Sequence, residues 1–284
     1  MAKIAIVTGS SSGTGLETSL LLARNQFFTY ATMRNLNKGE EILQIAAKEK
    51  LPLKTLQLDV NDDLSVNNAM STALEENGRV DVLVNNAGYS MFGSLEELSF
   101  EEIRGQFETN FFGVVRTCKA VIPIMRKQGS GTIIIIGSLG GRVGLLPFLT
   151  QYLASKFALE GFTESLRQEL AEFGTNVVLI EPGTIRTNFE NNTKIAKNYN
   201  PESSPYASTV QKLFEGVESI SANSSHPRDV AEMVLKIVNT SNPNVRYTVG
   251  KDAESVLKKR EELSDMEMEK WVRESFLEKK GFMR

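Results

Sequence analysis

Cysteine and histidine are almost absent: Cys118 and His226 are the only ones in 284 residues. A single cysteine excludes an internal disulfide and any multi-cysteine metal site. A single histidine excludes a histidine-rich metal centre, so no metal is expected. Such cysteine usage fits a reducing cytoplasm. Positive charge is not in excess either. Lys+Arg number 32 against 35 Asp+Glu, a formal net charge of −3, so no basic balance argues for nucleic acid or an anionic membrane surface. Apolar runs such as Ile133 to Ile136 are far too short to cross a bilayer. Met1-Ala2-Lys3-Ile4 leads directly into a strand pattern, with no room for the apolar region of a signal peptide. The expected location is the cytoplasm.

What is present is an ordinary globular composition, 41% hydrophobic and 24% charged, on a chain long enough to bury a full core. Short apolar runs alternate with helical patterns. Ile4 to Val7, Phe27 to Met33, Lys54 to Leu58, Val80 to Val84, Thr132 to Ile136, Asn176 to Ile180 and Arg246 to Val249 are predicted strands. A continuous helix is predicted from Phe100 to Arg126, another from near Tyr152 to Ala171, and a charged helical tail from Asp252 to Phe276. This alternation predicts one doubly wound α/β domain with a parallel sheet. The polar stretch 188–225 breaks the rhythm beside the sheet and is expected to act as a lid. His226-Pro227 suits a helix entry.

Chemistry concentrates at the carboxyl ends of the predicted strands. Thr8-Gly9-Ser10-Ser11-Ser12-Gly13-Thr14-Gly15 follows the first strand and opens a helix. Small residues there let backbone N–H groups and the helix N-terminus meet a pyrophosphate. The second strand ends in Met33-Arg34-Asn35 with no acid until Glu40. An acid at that point would suit the ribose hydroxyls of NAD; an arginine suits the 2′-phosphate of NADP. Asp59-Val60 ends the third strand, and Asn85-Asn86-Ala87-Gly88 makes a tight turn after the fourth. Tyr152 and Lys156 stand four apart, which places them on one face of a helix. A neighbouring ammonium favours a phenolate, so the Tyr152 pKa is expected to fall, making it an acid/base for a hydroxyl or carbonyl group.

Taken together, Thr8-Gly9-x-x-x-Gly13-x-Gly15, Asn85-Asn86-Ala87-Gly88, Asn110, Ser138, Tyr152-x-x-x-Lys156 and Pro182-Gly183 resemble the short-chain dehydrogenase/reductase family over nearly the whole chain. Tyr30 to Asn35 and Arg246 to Ala253 look like its 17-beta-hydroxysteroid and retinol dehydrogenase-like branch. The resemblance implies a single-domain Rossmann fold with a seven-stranded parallel sheet and helices on both faces. It implies Tyr152 as general acid in reduction and base in oxidation, and Ser138 holding the substrate oxygen. Lys156 would bind the nicotinamide ribose, and Asn110 would hold a water linking Lys156 to solvent. Thr8, Gly9, Ser11, Ser12, Gly13, Thr14, Gly15, Arg34, Asp59, Val60, Asn86, Ala87, Gly88, Pro182, Gly183, Ile185 and Thr187 would line the cofactor. Residues 1–250 would form the catalytic domain, with a lid at about 188–225. Residues 251–284 would be a helical extension on it or on a partner subunit. A homodimer or homotetramer is expected.

The substrate is expected to be a small, apolar alcohol, aldehyde or ketone, in a pocket walled by Met91, Phe92, Val143, Leu145, Leu146 and Phe148. A carrier-bound 3-oxoacyl group and a non-catalytic NADP-binding sensor are the rival readings. The first would want a basic surface, and the second usually loses the tyrosine or lysine present here.

Overall fold

A computed structural model describes residues 2–186, 193–221 and 224–278. Seven parallel strands form one sheet: β1 (Ile4–Val7), β2 (Phe28–Met33), β3 (Leu53–Gln57), β4 (Val82–Asn85), β6 (Gly131–Ile136), β7 (Thr175–Pro182) and β9 (Arg246–Val249). Two short strands, β5 (Met91–Phe92) and β8 (Lys194–Ile195), pair with each other beyond it. The spatial order of the main sheet is β3-β2-β1-β4-β6-β7-β9. The chain therefore builds outward from β1 to β3, then returns to the other side of β1 at β4. That reversal opens a crevice at the carboxyl ends of β1 and β4, where open α/β sheets bind their ligands.

Side chains alternate across the sheet, and both faces are covered. Ile4 and Ile6 of β1 face α3 (Asp63–Asn77), α5 (Gly113–Gln128) and α6 (Thr150–Leu170), meeting Met70, Val121 and Leu159. Ala5 and Val7 face α1 (Gly13–Arg24) and α8 (Pro227–Val238), meeting Leu22, Val230 and Val234. Burial on both faces explains why these strands are continuous apolar runs. Each buried aliphatic side chain contributes about 1.5–3 kcal/mol. On the β2–β3 side, α2 (Glu40–Glu49) packs Ile42 against Met33 and Leu16.

Several element bounds differ from the expectation, each for a visible reason. The fourth strand starts at Val82, because Val80 spends both its backbone groups on the Gln128 side chain (2.8 and 2.9 Å). The helix expected from Phe100 to Arg126 is three pieces. They are α4 (Phe100–Phe107), a π turn (Glu108–Phe112) and α5, which also carries Pro123 inside it. The tail is two helices, α9 (Lys251–Glu262) and α10 (Asp265–Phe276). Leu263 is extended between them, and Ser264 and Glu267 form a capping box that restarts the helix. The polar stretch after β7 holds β8 and a helix, α7 (Ala207–Ser221). His226 is the N-cap of α8, accepting from the Arg228 N–H through Nδ1.

Candidate active site

The glycine-rich turn is shaped by contacts with the turn after β4. Thr8 Oγ1 accepts from the N–H groups of Asn86 and Ala87, both at 3.0 Å. Asn86 Nδ2 donates to the carbonyls of Thr8 (2.9 Å) and Gly9 (3.2 Å). The two segments lie so close that a Cβ on Gly9 would stand 2.9 Å from Ala87 Cα, and Gly9 is left-handed at φ +70. A Cβ on Gly15 would lie 2.3 Å from Gly9 O. The result is a bare backbone cradle at the start of α1. Its N-cap, Ser12, makes no side-chain cap bond, so the first-turn N–H groups keep their capacity for an anion. Ser11, Gly13 and Thr14 lie on this turn, partly exposed.

Around the crevice stand the other expected residues. Arg34 is exposed at the end of β2, with no hydrogen bond or ion pair to any described residue. Asp59 and Val60 follow β3. Asp59 Oδ1 accepts from Asn61 N, and Val60 O accepts from Arg116 (2.6 Å). Gly88 is exposed and packs near Asn110 Oδ1. At the end of β7, Gly183 N–H donates to Val249 O (2.9 Å) and Thr184 N–H to Asp252 Oδ2 (2.7 Å). Ile185 bridges to Ser225 in parallel. Thr187 lies outside the described residues.

Ser138 caps the 3-10 turn Leu139–Gly141 after β6, its Oγ accepting from Gly140 N–H (3.0 Å). Tyr152, in the first turn of α6, shares a hydrogen bond with Ser138. Lys156 follows one helical turn later, its Nζ 5.8 Å from the Tyr152 ring centroid and donating to Ile136 O (2.9 Å). Serine, phenol and ammonium are thus held against one strand end. The Tyr152 pKa, however, is not lowered as expected from the spacing. Burial holds it above the ordinary phenol value, only partly offset by the Ser138 hydrogen bond. The ammonium is turned to a carbonyl, and burial pulls its own pKa down to about 8.

Asn110 lies in the π turn. It accepts from Tyr89 N–H (3.1 Å) and donates to Tyr89 O (3.0 Å) and Ser155 Oγ (3.4 Å). The wider turn aims this amide at the segment after β4 and at α6 together; single π turns frequently mark functional sites. Gln106 and Ser155, not singled out from sequence, complete the arrangement. Gln106 Nε2 also donates to Tyr89 O (2.8 Å), and Ser155 donates to Tyr152 O (2.6 Å). Gln106, Asn110, Ser155 and Lys156 are all buried. Helical spacing was their only signal, at 106/110 and 152/155.

The expected apolar wall is partly reassigned. Phe92, Val143, Leu145 and Phe148 share one cluster, with Leu146 packed against it. Met91 belongs to another cluster, with Leu98 and Ala196. Val210 and Leu213 of α7, Ala253 and Val256 of α9, and Met268 and Phe276 of α10 complete the first cluster. The tail helices thus pack beside the site.

Comparisons with known proteins agree with this architecture. The short chain dehydrogenase family profile matches residues 3–198. The chain belongs to that family, an oxidoreductase family, and carries its Rossmann-like sheet. Among its relatives is the 3-ketodihydrosphingosine reductase of Bacteroides thetaiotaomicron, 38% identical over 248 residues, covering 87% of this chain and 88% of that protein. Retinol dehydrogenase 8 of Bos taurus is 38% identical over 265 residues, covering 86% and 82%. This places the chain beside the steroid- and retinol-type branch that it resembles in sequence. A short-chain dehydrogenase structure from Streptomyces avermitilis superposes with a TM-score of 0.80 at 30% identity, covering 96% of this chain and 97% of that one.

Proposed function

We propose that this protein moves a hydride between NADP(H) and the carbonyl or alcohol carbon of an apolar ketone, aldehyde or alcohol. The observation that carries the reading is the Tyr152–Ser138 hydrogen bond with Lys156 one turn away on the same helix. The cradle fits a dinucleotide. Gly9 and Gly15 admit no side chain, and the α1 N-terminus has capacity for a pyrophosphate. Arg34 would take a 2′-phosphate through its fixed fork of donors, which favours NADP over NAD. Residues on the glycine turn, Asp59-Val60, Asn86 to Gly88 and Pro182 to Thr187 would line the cofactor.

When bound, the nicotinamide supplies or accepts the hydride. The chain handles the proton. Ser138 Oγ holds the substrate oxygen. Tyr152 donates to that oxygen in reduction and takes the proton back in oxidation. Lys156 binds the ribose and, as an ammonium, favours the phenolate that remains. Asn110 holds a water through which Lys156 recovers a proton. Proton transfer of this kind is worth 10²–10⁴-fold in rate.

The apolar cluster beside the site supports a hydrophobic substrate. Retinol and 3-ketodihydrosphingosine, named in the two relatives, each carry a long hydrocarbon part. A formal charge of −3 carries no overall basic excess of the kind that would favour an acidic carrier protein. The exposed Phe112 (48%) and Phe157 (46%), on the π turn and α6, support pairing of these helices in a homodimer or homotetramer. No helix among the described residues is long and apolar enough to cross a membrane, and a cytoplasmic location fits the reading.

The test is turnover of ketosteroids, retinal and simple ketones with NADPH and NADH. The Tyr152→Phe variant should lose about 100-fold or more in turnover while binding NADPH unchanged. Retained turnover removes Tyr152 from the proposed role.

A further inference from the structure

Behind the Ser138 turn lies a second cluster of ionisable groups that the proton chemistry above does not use. Glu160 sits on α6 one turn beyond Lys156 and is 8% exposed; Glu181, just before Pro182-Gly183 on β7, is 1% exposed. Arg246 of β9 spans them, its Nε 2.7 Å from Glu160 Oε2 and 3.4 Å from Glu181 Oε1. Its Nη2 reaches the exposed Glu164. Thr248 Oγ1 donates to Glu181 Oε2 (3.4 Å). From the active-site side, Arg142 places Nη1 3.3 Å from Glu181 Oε1.

This cluster touches the turn that presents Ser138. A Cβ on Gly141 would lie 2.9 Å from Lys156 O and 3.0 Å from Glu160 Oε1. Gly141 N–H donates to Ser138 O (2.9 Å), so Gly141 cannot shift without moving Ser138. Arg142 anchors the turn's far end to Glu181.

Two buried carboxylates converge on a single donor: Glu160 Oε2 and Glu181 Oε1 both approach Arg246 Nε, Arg142 reaches Glu181 from the other side, the exposed Glu164 is screened by solvent, and Lys156 points away to Ile136 O. Two of the acids are buried, where an unmatched charge is costly. Glu160 Oε1 is buried and has no hydrogen-bond partner among the described residues. One proton on the buried pair gives the two acids a hydrogen bond in place of repulsion. In agreement, burial pushes the Glu160 carboxyl up to about 7, with the nearby Glu181 charge adding to the rise and Arg246 opposing it.

We propose that Glu160 and Glu181 share one proton behind the Ser138 turn, and that this proton positions the turn, so that losing it displaces Ser138 and lowers turnover. Glu160 is then a positioning residue, acting through Gly141. The effect on turnover rests on the oxidoreductase reading; the proton itself does not.

The test compares the wild type with Glu160→Gln, whose amide keeps the shape and a donor toward Glu181 but cannot ionise. Infrared spectra should show a protonated carboxyl band in the wild type at about pH 6 that fades by about pH 8.5. Glu160→Gln should lack it. The ratio of variant to wild-type kcat should rise about tenfold over the same range, with KM for the cofactor unchanged. Arg142→Gln, which unties the turn and leaves the acids in place, should keep the band and a constant kcat ratio to its own double variant with Glu160→Gln. A wild type without the band overturns the shared proton. A band with a pH-independent kcat ratio between Glu160→Gln and wild type overturns the positioning. A wild type inert toward every carbonyl and alcohol sinks the oxidoreductase reading, while the band still decides the proton.

Discussion

At the scale of single residues, the difference between sequence and structure falls on Tyr152 and Lys156. Their spacing was legible as a one-faced pair, and the helix does place them one turn apart. Their protonation was not legible, because it depends on how much protein surrounds each group and where the ammonium points. Burial lowers the Lys156 pKa to about 8 from its ordinary 10.5. The unfolded chain therefore binds more protons than the native state between those values, so Lys156 favours folding above pH 10.5 and that benefit fades as pH falls to about 8. Relative to Lys156→Met, the wild type should gain up to ~3 kcal/mol of unfolding free energy across that rise in pH, as read by urea titrations. A constant difference would mean that the buried amine does not titrate there. Arg34 yields a second prediction at this scale. Arg34→Asp should lower kcat/KM for NADPH by about tenfold or more and favour NADH, since a carboxylate repels a 2′-phosphate and accepts from ribose hydroxyls.

At the scale of elements, runs of one character were legible and interruptions were not. β1, β2, β6 and β9 lie within a residue of where the apolar runs put them. The break at Glu108–Phe112 was hidden because no residue there is a helix breaker. What opens the π turn is the pairing of Asn110 with Tyr89 and Ser155, contacts distant in sequence. Helix α7 was legible and passed over: Val210, Leu213, Phe214 and Val217 stand at helical spacing inside a polar stretch. The restart at Ser264 carries a signature in Ser264-x-x-Glu267. Ser264→Ala should cost about 1 kcal/mol, seen as a lower melting temperature. It should also raise KM for an apolar substrate more than KM for the cofactor, because α10 packs in the cluster beside the site and far from the glycine cradle.

At the scale of the whole molecule, the doubly wound plan followed from the alternation of strands and helices, and the crevice from the order in which the strands are laid down. The destination of the tail did not follow, since an amphipathic helix shows that it packs but not on what. It packs with α7 and the loop after Ser138. Ending the chain at residue 250 should therefore bare Val143, Leu145 and Phe148, increase binding of an apolar dye and promote aggregation. A truncated protein that stays unaggregated and dye-free would show the wall to be self-sufficient.

That wall has one more implication. The match to the family profile ends at residue 198, whereas α7, α9 and α10 all come later in the chain. On the proposed function, dinucleotide grip and proton delivery would be encoded in one stretch of the polypeptide, and much of the chamber's lining in another. A splice near that boundary would exchange the guest while leaving the chemistry at home.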